Sequence, residues 1–437
     1  MSHAPLKAEQ DAVDICAGLV RFDTTNFGGG ESRGERDAAE YAAGLLTEAG
    51  AEPRILESAP GRANVVCRIP GTDSTAPGLL VHGHLDVVPA NAADWSTDPF
   101  SGEVAGGMVW GRGTLDMKSA IAAVLAACRR WARDGVRPRR DIVLALVADE
   151  EDTGGYGAGF LTREHPDLLA GVSEAIGEGG GGLVHMPGGQ RLHSIGVAER
   201  GTMWMQLTAT GTAGHGSRPT ADNPVTAIAS AVARIGAHEW PIQLTPPVRQ
   251  LLEKLQEATD QAIDPNDLES ARPTLGDALR LVESVLRNTT SPTMLDAGYK
   301  VNVIPGAATA HVDGRVLPGH EEEFLGTLER LVGEQVRISF DSRQDSVQSP
   351  FEGPTVDAMV AALDAEDPGA IVVPGCSGGG TDAKWFSQLG IACYGFAPLG
   401  TPADFQHRHL VHGVDERVPV TALEYGVRVL DRFLLGS

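Results

Sequence analysis

Ile142-Val-Leu-Ala-Leu-Val-Ala148, followed at once by Asp149-Glu-Glu-Asp152, and Leu79-Leu-Val81, followed by His84-Leu-Asp86, decide how this chain is read. Short apolar runs that end abruptly in turn or polar residues are the mark of strands buried on both faces of a parallel sheet. In open sheets of that kind, ligands bind in the crevice beyond the carboxyl ends of the strands. Acids and imidazoles placed there are candidate metal ligands.

Working outward, helical and strand patterns alternate from Gln10 to about Gly196. Amphipathic helices are expected at Asp11–Val20 and Glu35–Ala49, and strands at Asn64–Ile69, Gly78–Val88, Asp141–Ala148 and Glu174–Gly177. This is the order of a layered α/β domain. Ser119–Ala132 reads as an alanine-rich helix, with Asp116 delivered to its start by the glycines at 111 and 113.

Near Val197 the period changes. Met203, Met205, Leu207 and Ala209 alternate with Thr202, Trp204, Gln206 and Thr208, as in a strand with two unlike faces; Trp204 and the methionines are either core, the default reading, or an exposed pairing edge. Asn223-Pro224 caps an expected helix at Val225–Ile235. A polar, mostly helical stretch follows, then strands at Val301–Ile304 and Thr309–Val316, a helix at Glu321–Val332 and a strand at Val336–Phe340. Strand-helix-strand-strand-helix-strand predicts a ferredoxin-like α+β unit. After Ser349 the first pattern returns, with helices at Thr355–Leu363, Thr381–Leu389 and Val418–Leu434 and strands at Ala370–Val373 and Ile391–Phe396. The smaller unit, 198–345, is thus inserted into a discontinuous larger one, 1–197 and 346–437.

The totals agree with two units: 437 residues exceed one ordinary core. A net charge of −23 disfavours nucleic acid and anionic lipid as partners. Neither a secretory leader nor a membrane-spanning run is visible, so a cytoplasmic protein is expected. The five cysteines, Cys16, Cys67, Cys128, Cys376 and Cys393, are scattered and odd in number; they read as small buried side chains rather than disulfides or a thiolate zinc site.

Seven groups fall at strand ends or glycine turns of the larger unit: His84, Asp86, Asp116, Glu150, Glu151, Glu178 and His412. Histidine with carboxylates suits Zn²⁺ and its neighbours, and an aspartate shared by two ions would hold them about 3.5–4 Å apart. Such centres supply hydroxide near neutral pH and polarise a carbonyl, which is hydrolytic chemistry. Gly177-Glu-Gly-Gly-Gly-Gly182 lacks the Gly-Lys-Ser/Thr ending of a phosphate loop and is read as a flexible loop presenting Glu178.

These residues resemble the co-catalytic zinc amidohydrolases that include aminoacylase, glutamate carboxypeptidase, carboxypeptidase S, acetylornithine deacetylase and succinyl-diaminopimelate desuccinylase. The resemblance runs over nearly the whole chain, through Gly83-His-Leu-Asp-Val-Val-Pro89, Trp110-Gly-Arg-Gly-Thr-Leu-Asp-Met-Lys118, Asp149-Glu-Glu151, Glu178-Gly-Gly180, Gly214-His-Gly-Ser217, Val301-Asn-Val-Ile-Pro305, Ser377-Gly-Gly-Gly-Thr-Asp382 and His412-Gly-Val-Asp-Glu416. It implies a zinc-exopeptidase-like α/β catalytic domain with a ferredoxin-like lid and dimerisation domain. One metal would be bound by His84, Asp116 and Glu178, a second by Asp116, Glu151 and His412, with zinc expected and cobalt or manganese as alternatives. Asp86 would hold the other ring nitrogen of His84, and Glu150 would be the general base. His215 would stabilise the oxyanion, from the partner subunit of a homodimer. Asn302, Arg315 and Gly379-Gly380-Thr381 would grip a substrate carboxylate.

The implied reaction is hydrolysis of an amide bond in a small carboxylate-bearing substrate: an N-acyl amino acid, a dipeptide or a C-terminal residue. The rivals are a biosynthetic deacetylase or desuccinylase and a metal-binding relative without turnover. Glu-Gly-Gly at the third ligand, in place of Glu-Pro, favours the aminoacylase and carboxypeptidase side. The long stretch from Trp240 to Asp296 resembles the larger lids of the carboxypeptidase S branch, and would shape the pocket or extend a dimer surface.

Overall fold

The computed structural model of the chain describes residues 7–405 and 407–437. Gly78–His84 and Ile142–Val147 form the middle of a ten-stranded sheet, buried along their whole length. They pair in parallel with each other, and Gly78–His84 also pairs in parallel with Val172–Gly177, which in turn pairs in parallel with Ala392–Gly395. The carboxyl ends of these four strands therefore open on one edge of the sheet.

Alternate side chains go to opposite layers. Leu79 and Val81 meet helices Lys7–Val20, Ser119–Asp134 and Val420–Gly436, whereas Leu80 faces a second core with Ala158, Leu161 and Phe386. Near-continuous apolar strands are what such two-sided burial requires. Of the cysteines, Cys376 alone is only partly buried.

The inserted unit has the expected order with one reassignment. Its sheet runs Thr289–Ala297, Ala307–Val316, Gly201–Thr210, Val336–Gln344, all neighbours antiparallel, with Pro224–Ala237 and Glu321–Val332 on one face. The second strand is thus Thr289–Ala297, not Val301–Ile304; of the latter, Val303–Ile304 makes a separate ribbon with Gly214–His215. Asn223 caps its helix by accepting from the Val225 N–H at 3.0 Å. Met203 and Met205 are core, as the default reading has it, but Trp204 departs from that default and lies on the open face, 41% exposed.

Of the stretch between these lid elements, Trp240 packs in the lid core, but the part from Pro246 onward packs elsewhere. Helix Pro246–Thr259 and the short turns from Leu268 to Glu283 bury Leu251, Leu252, Leu255, Leu275 and Leu279 against Val184, Met186, Leu192 and Val373 of the larger sheet. Each such leucine contributes about 1.5–3 kcal/mol of burial. The insertion drawn as 198–345 thus returns part of its length to the catalytic body.

Candidate metal centre

The parallel strands aim their last residues at one place. His84 ends Gly78–His84, Glu178 follows Val172–Gly177, and Asp149-Glu150-Glu151 follows Ile142–Val147. Asp116 arrives on the turn before helix Ser119–Asp134, and His412 on a loop ahead of strand Arg417–Pro419. Two triads result, His84 with Asp116 and Glu178, and Asp116 with Glu151 and His412; within each, one donor atom per residue lies within 4.8 Å of the others.

Asp116 belongs to both. Its Oδ1 is 3.0 Å from His84 Nε2 and its Oδ2 is 3.2 Å from His412 Nε2. Glu178 Oε2 stands 3.5 Å from His84 Nε2, and Glu151 Oε2 stands 3.2 Å from His412 Nε2. The nitrogen lone pairs and carboxylate oxygens converge without intervening structure. Glu151 Oε1 is buried with no hydrogen-bond partner among the described residues, an orphan that a cation would satisfy. The donor set and this orphan fit a pair of divalent ions.

Protons stand in for such charge. Hydrogen bonds donated to Asp116 and then to Glu151 push His412 up to about 10. Burial opposes protonation of His84, yet Glu178 and Asp116 hold it well above the usual imidazole range. Glu178 is pushed up to about 7, chiefly by burial. Burial, then the charge of Glu178, raises Glu150 well above the ordinary carboxylate range. An acidic cluster that retains protons is one that binds cations in their place.

The part expected of Asp86 is altered. His84 Nδ1 faces the backbone carbonyl of Asp86 at 3.0 Å, and the Asp86 carboxylate lies farther off, at 3.7 Å. That carboxylate instead accepts from the backbone N–H groups of Glu150 and Glu151, both at 3.2 Å, and from Asn26 Nδ2 at 2.9 Å. Asp86 therefore sets the turn that carries the two glutamates. Asn26 also reaches Asp149, which is paired with Arg62, itself paired with Glu35. None of Asn26, Arg62 and Glu35 stood out in the sequence, because each is distant from the apolar runs and gains meaning only through burial.

The glycine stretch after Glu178 is packed rather than loose. A side chain on Gly180 would strike the Gly395 carbonyl and the Gly196 N–H, and one on Gly177 would strike the ring of His82. His82 is buried there, its pKa down to about 3 through burial and then the charge of His84.

The remaining expected residues are not brought to the cluster. His215 is exposed on the lid ribbon with Nδ1 facing Ser217, and Asn302 meets the same ribbon, its carbonyl accepting from the Gly216 N–H at 2.9 Å. Arg315 is held bidentately by Asp313 and donates to Thr202 Oγ1, which leaves N–H groups on its terminal nitrogens for a ligand. Thr381 is spent: its N–H and hydroxyl both donate to buried Glu199, at 2.9 and 2.6 Å. It anchors the loop and has no free donor for a substrate, contrary to the expectation. Both glycines before it are half-buried, and the Gly379 N–H is given to Ser377 Oγ at 3.2 Å, which leaves the Gly380 backbone to approach one.

A cavity of about 310 Å³ opens beside Asp116 and Glu178. Leu115, Met117, Ala120, Val184, Leu281 and Leu399 form the apolar side of its wall, which also carries Ser119, Ser194 and His407.

The sequence model of peptidase family M20/M25/M40 matches residues 80–436. The N-fatty-acyl-amino acid synthase/hydrolase PM20D1 of Xenopus tropicalis is 27% identical over 445 residues, covering 99% of this chain and 86% of the relative. Aminoacylase-1 of Sus scrofa is 28% identical over 398 residues, covering 87% of this chain and 84% of the relative. Among solved structures, the M20 family metallo-carboxypeptidase Sso-CP2 from Sulfolobus solfataricus superposes with a TM-score of 0.73 at 18% identity, over 98% of this chain and 99% of that one.

Proposed function

Because the chain belongs to peptidase family M20/M25/M40, we propose that it hydrolyses the amide bond of a carboxylate-bearing N-acyl amino acid. The observation that carries this reading is the pair of triads sharing Asp116, with Glu150 beside them and outside both. His84, Asp116 and Glu178 would hold one divalent ion, and Asp116, Glu151 and His412 another; the mixed nitrogen and oxygen donors suit zinc, with cobalt or manganese as alternatives. Bound there, the ions supply Lewis-acid polarisation of the carbonyl and an acidified water.

The residues of the chain do the rest. Glu150, free of both triads, takes a proton from the attacking water and passes it to the leaving nitrogen; its raised proton affinity suits a group that must both accept and release. Asp86 fixes the Glu150-Glu151 backbone so that one carboxylate ligates while the other stays free. Arg315, Asn302 and the Gly380 backbone are the groups suited to the substrate carboxylate, and His215 to the developing oxyanion. The apolar side of the cavity wall beside Asp116 and Glu178 favours an acyl chain over a polar dipeptide side chain, in keeping with relatives named for N-fatty-acyl-amino acids and for aminoacylase. The chain is read as a homodimer: the edge strand Thr289–Ala297 leaves Met294 and Leu295 65% and 56% exposed, which invites pairing with a second copy.

The test is Glu150→Gln. Turnover of N-acyl amino acids should fall by about 10²–10⁴ while metal content stays near that of the wild type. Metal loss as complete as in Asp116→Ala would contradict the assignment.

A further inference from the structure

His84 is fixed by the fully buried strand it ends, but His412 has no such support. It sits on a loop at φ +59, with its side chain 48% exposed. What holds it is a buried ion pair unrelated to the triads. Arg112 Nη1 donates to Glu416 Oε2 at 2.6 Å, and both side chains are almost wholly buried. Arg112 Nη2 donates to the His412 carbonyl at 3.2 Å and more weakly to that of Pro89 at 3.4 Å. Glu416 Oε1 accepts from the Leu115 N–H at 2.7 Å, one residue before Asp116, and the Glu416 carbonyl accepts from the Gly111 N–H at 2.9 Å. The Arg112 guanidinium lies over the ring of Trp95 at 5.3 Å.

We infer that Arg112 and Glu416 are positioning residues whose main effect falls on the second triad: they clamp the His412 loop, which belongs to that triad only, to the turn of the shared Asp116 and so set the separation of His412 Nε2 from Asp116 Oδ2. The inference rests on the reading of the triads as metal sites. A buried ion pair is a poor source of stability, since an apolar pair of similar volume often does as well or better. Its use here is geometric: each charge fastens a backbone group next to a ligand, and groups that orient ligands from behind affect metal affinity by about 10–100-fold.

The experiment is calorimetric titration of the chelator-stripped protein with zinc. Wild type should take up two equivalents. The double variant Arg112→Met/Glu416→Leu removes both charges, so it leaves no lone buried ion and should fold; it should keep the first equivalent near wild-type affinity and weaken the second by about 10–100-fold. Glu416→Gln retains an acceptor for the Leu115 N–H and should lie between the two. Equal weakening of both equivalents, or two wild-type affinities in the double variant, would overturn the clamp. Fewer than two equivalents in the wild type would overturn the metal reading and the clamp with it. That outcome differs from failure of the clamp alone, which leaves the wild-type stoichiometry at two.

Discussion

Away from water, Glu35 and Asp149 share the Arg62 guanidinium, and the charge of Asp86 adds to theirs, so that one carboxylate gives way. Burial first, then the charges of Asp86 and Asp149, push Glu35 up to about 7 against the pull of Arg62. Since the folded chain then holds this proton more tightly than the unfolded chain, the wild type should lose stability relative to Glu35→Gln as the pH rises from about 4.5 to 7, with a constant difference above that. Urea midpoints of both proteins across this range check it; a flat difference would mean that Arg62 keeps Glu35 ionised throughout. Asp86→Ala strands the N–H groups of Glu150 and Glu151, at about 1–3 kcal/mol each, and should lower stability and turnover together. At this scale the sequence is legible where chemistry and strand end coincide, as at His84, Glu150 and Glu178. It is silent on Arg62 and Glu35, whose importance comes from what surrounds them, and it misleads at Asp86, where side chain and backbone carbonyl exchange the parts expected of them.

Elements with a clean period are read to within a few residues, as Gly78–His84, Ile142–Val147 and Glu321–Val332 attest. Thr289–Ala297 escapes because its side chains are mostly exposed and Pro292 interrupts it, so neither a buried run nor regular alternation marks it. The leucines of Pro246–Thr259 announce a helix but not its partner, since an amphipathic face does not say which core it joins. That helix and the turns after it cover one end of the larger sheet and place Leu281 in the cavity beside the triads. Leu281→Trp should therefore narrow the cavity. Its kcat/KM on a long-chain N-acyl amino acid should fall by about tenfold or more, while that on the N-acetyl analogue should change little. Equal losses on both substrates would remove the cavity from the acyl assignment and leave the hydrolytic reading intact.

Over the whole molecule the two units are joined through adjacent residues of opposite charge. Glu199 binds Thr381 in the catalytic unit, while Arg200 donates to Thr289 Oγ1 and to the Arg315 carbonyl in the inserted one, and to the Ser284 carbonyl at the end of the turns that cover the larger sheet. The loop that ends in Thr381 and the strand that carries Arg315 are thereby tied to one short link. His215 lies beyond that link, exposed and out of contact with the triads among the described residues, so the oxyanion role proposed for it would require either closure of its own lid or a second copy of the chain. Mixed subunits separate the two routes. In a dimer of one His215→Ala subunit and one Glu150→Gln subunit, sharing across the interface rebuilds one complete site and leaves the other doubly defective. Random exchange of equal amounts should then restore about a quarter of wild-type activity, as two-fold symmetry requires. Closure within a subunit leaves every site short of one group and restores none. Recovery that grows with the proven fraction of mixed dimers is the outcome expected if the lid edge strand Thr289–Ala297 is where two copies meet.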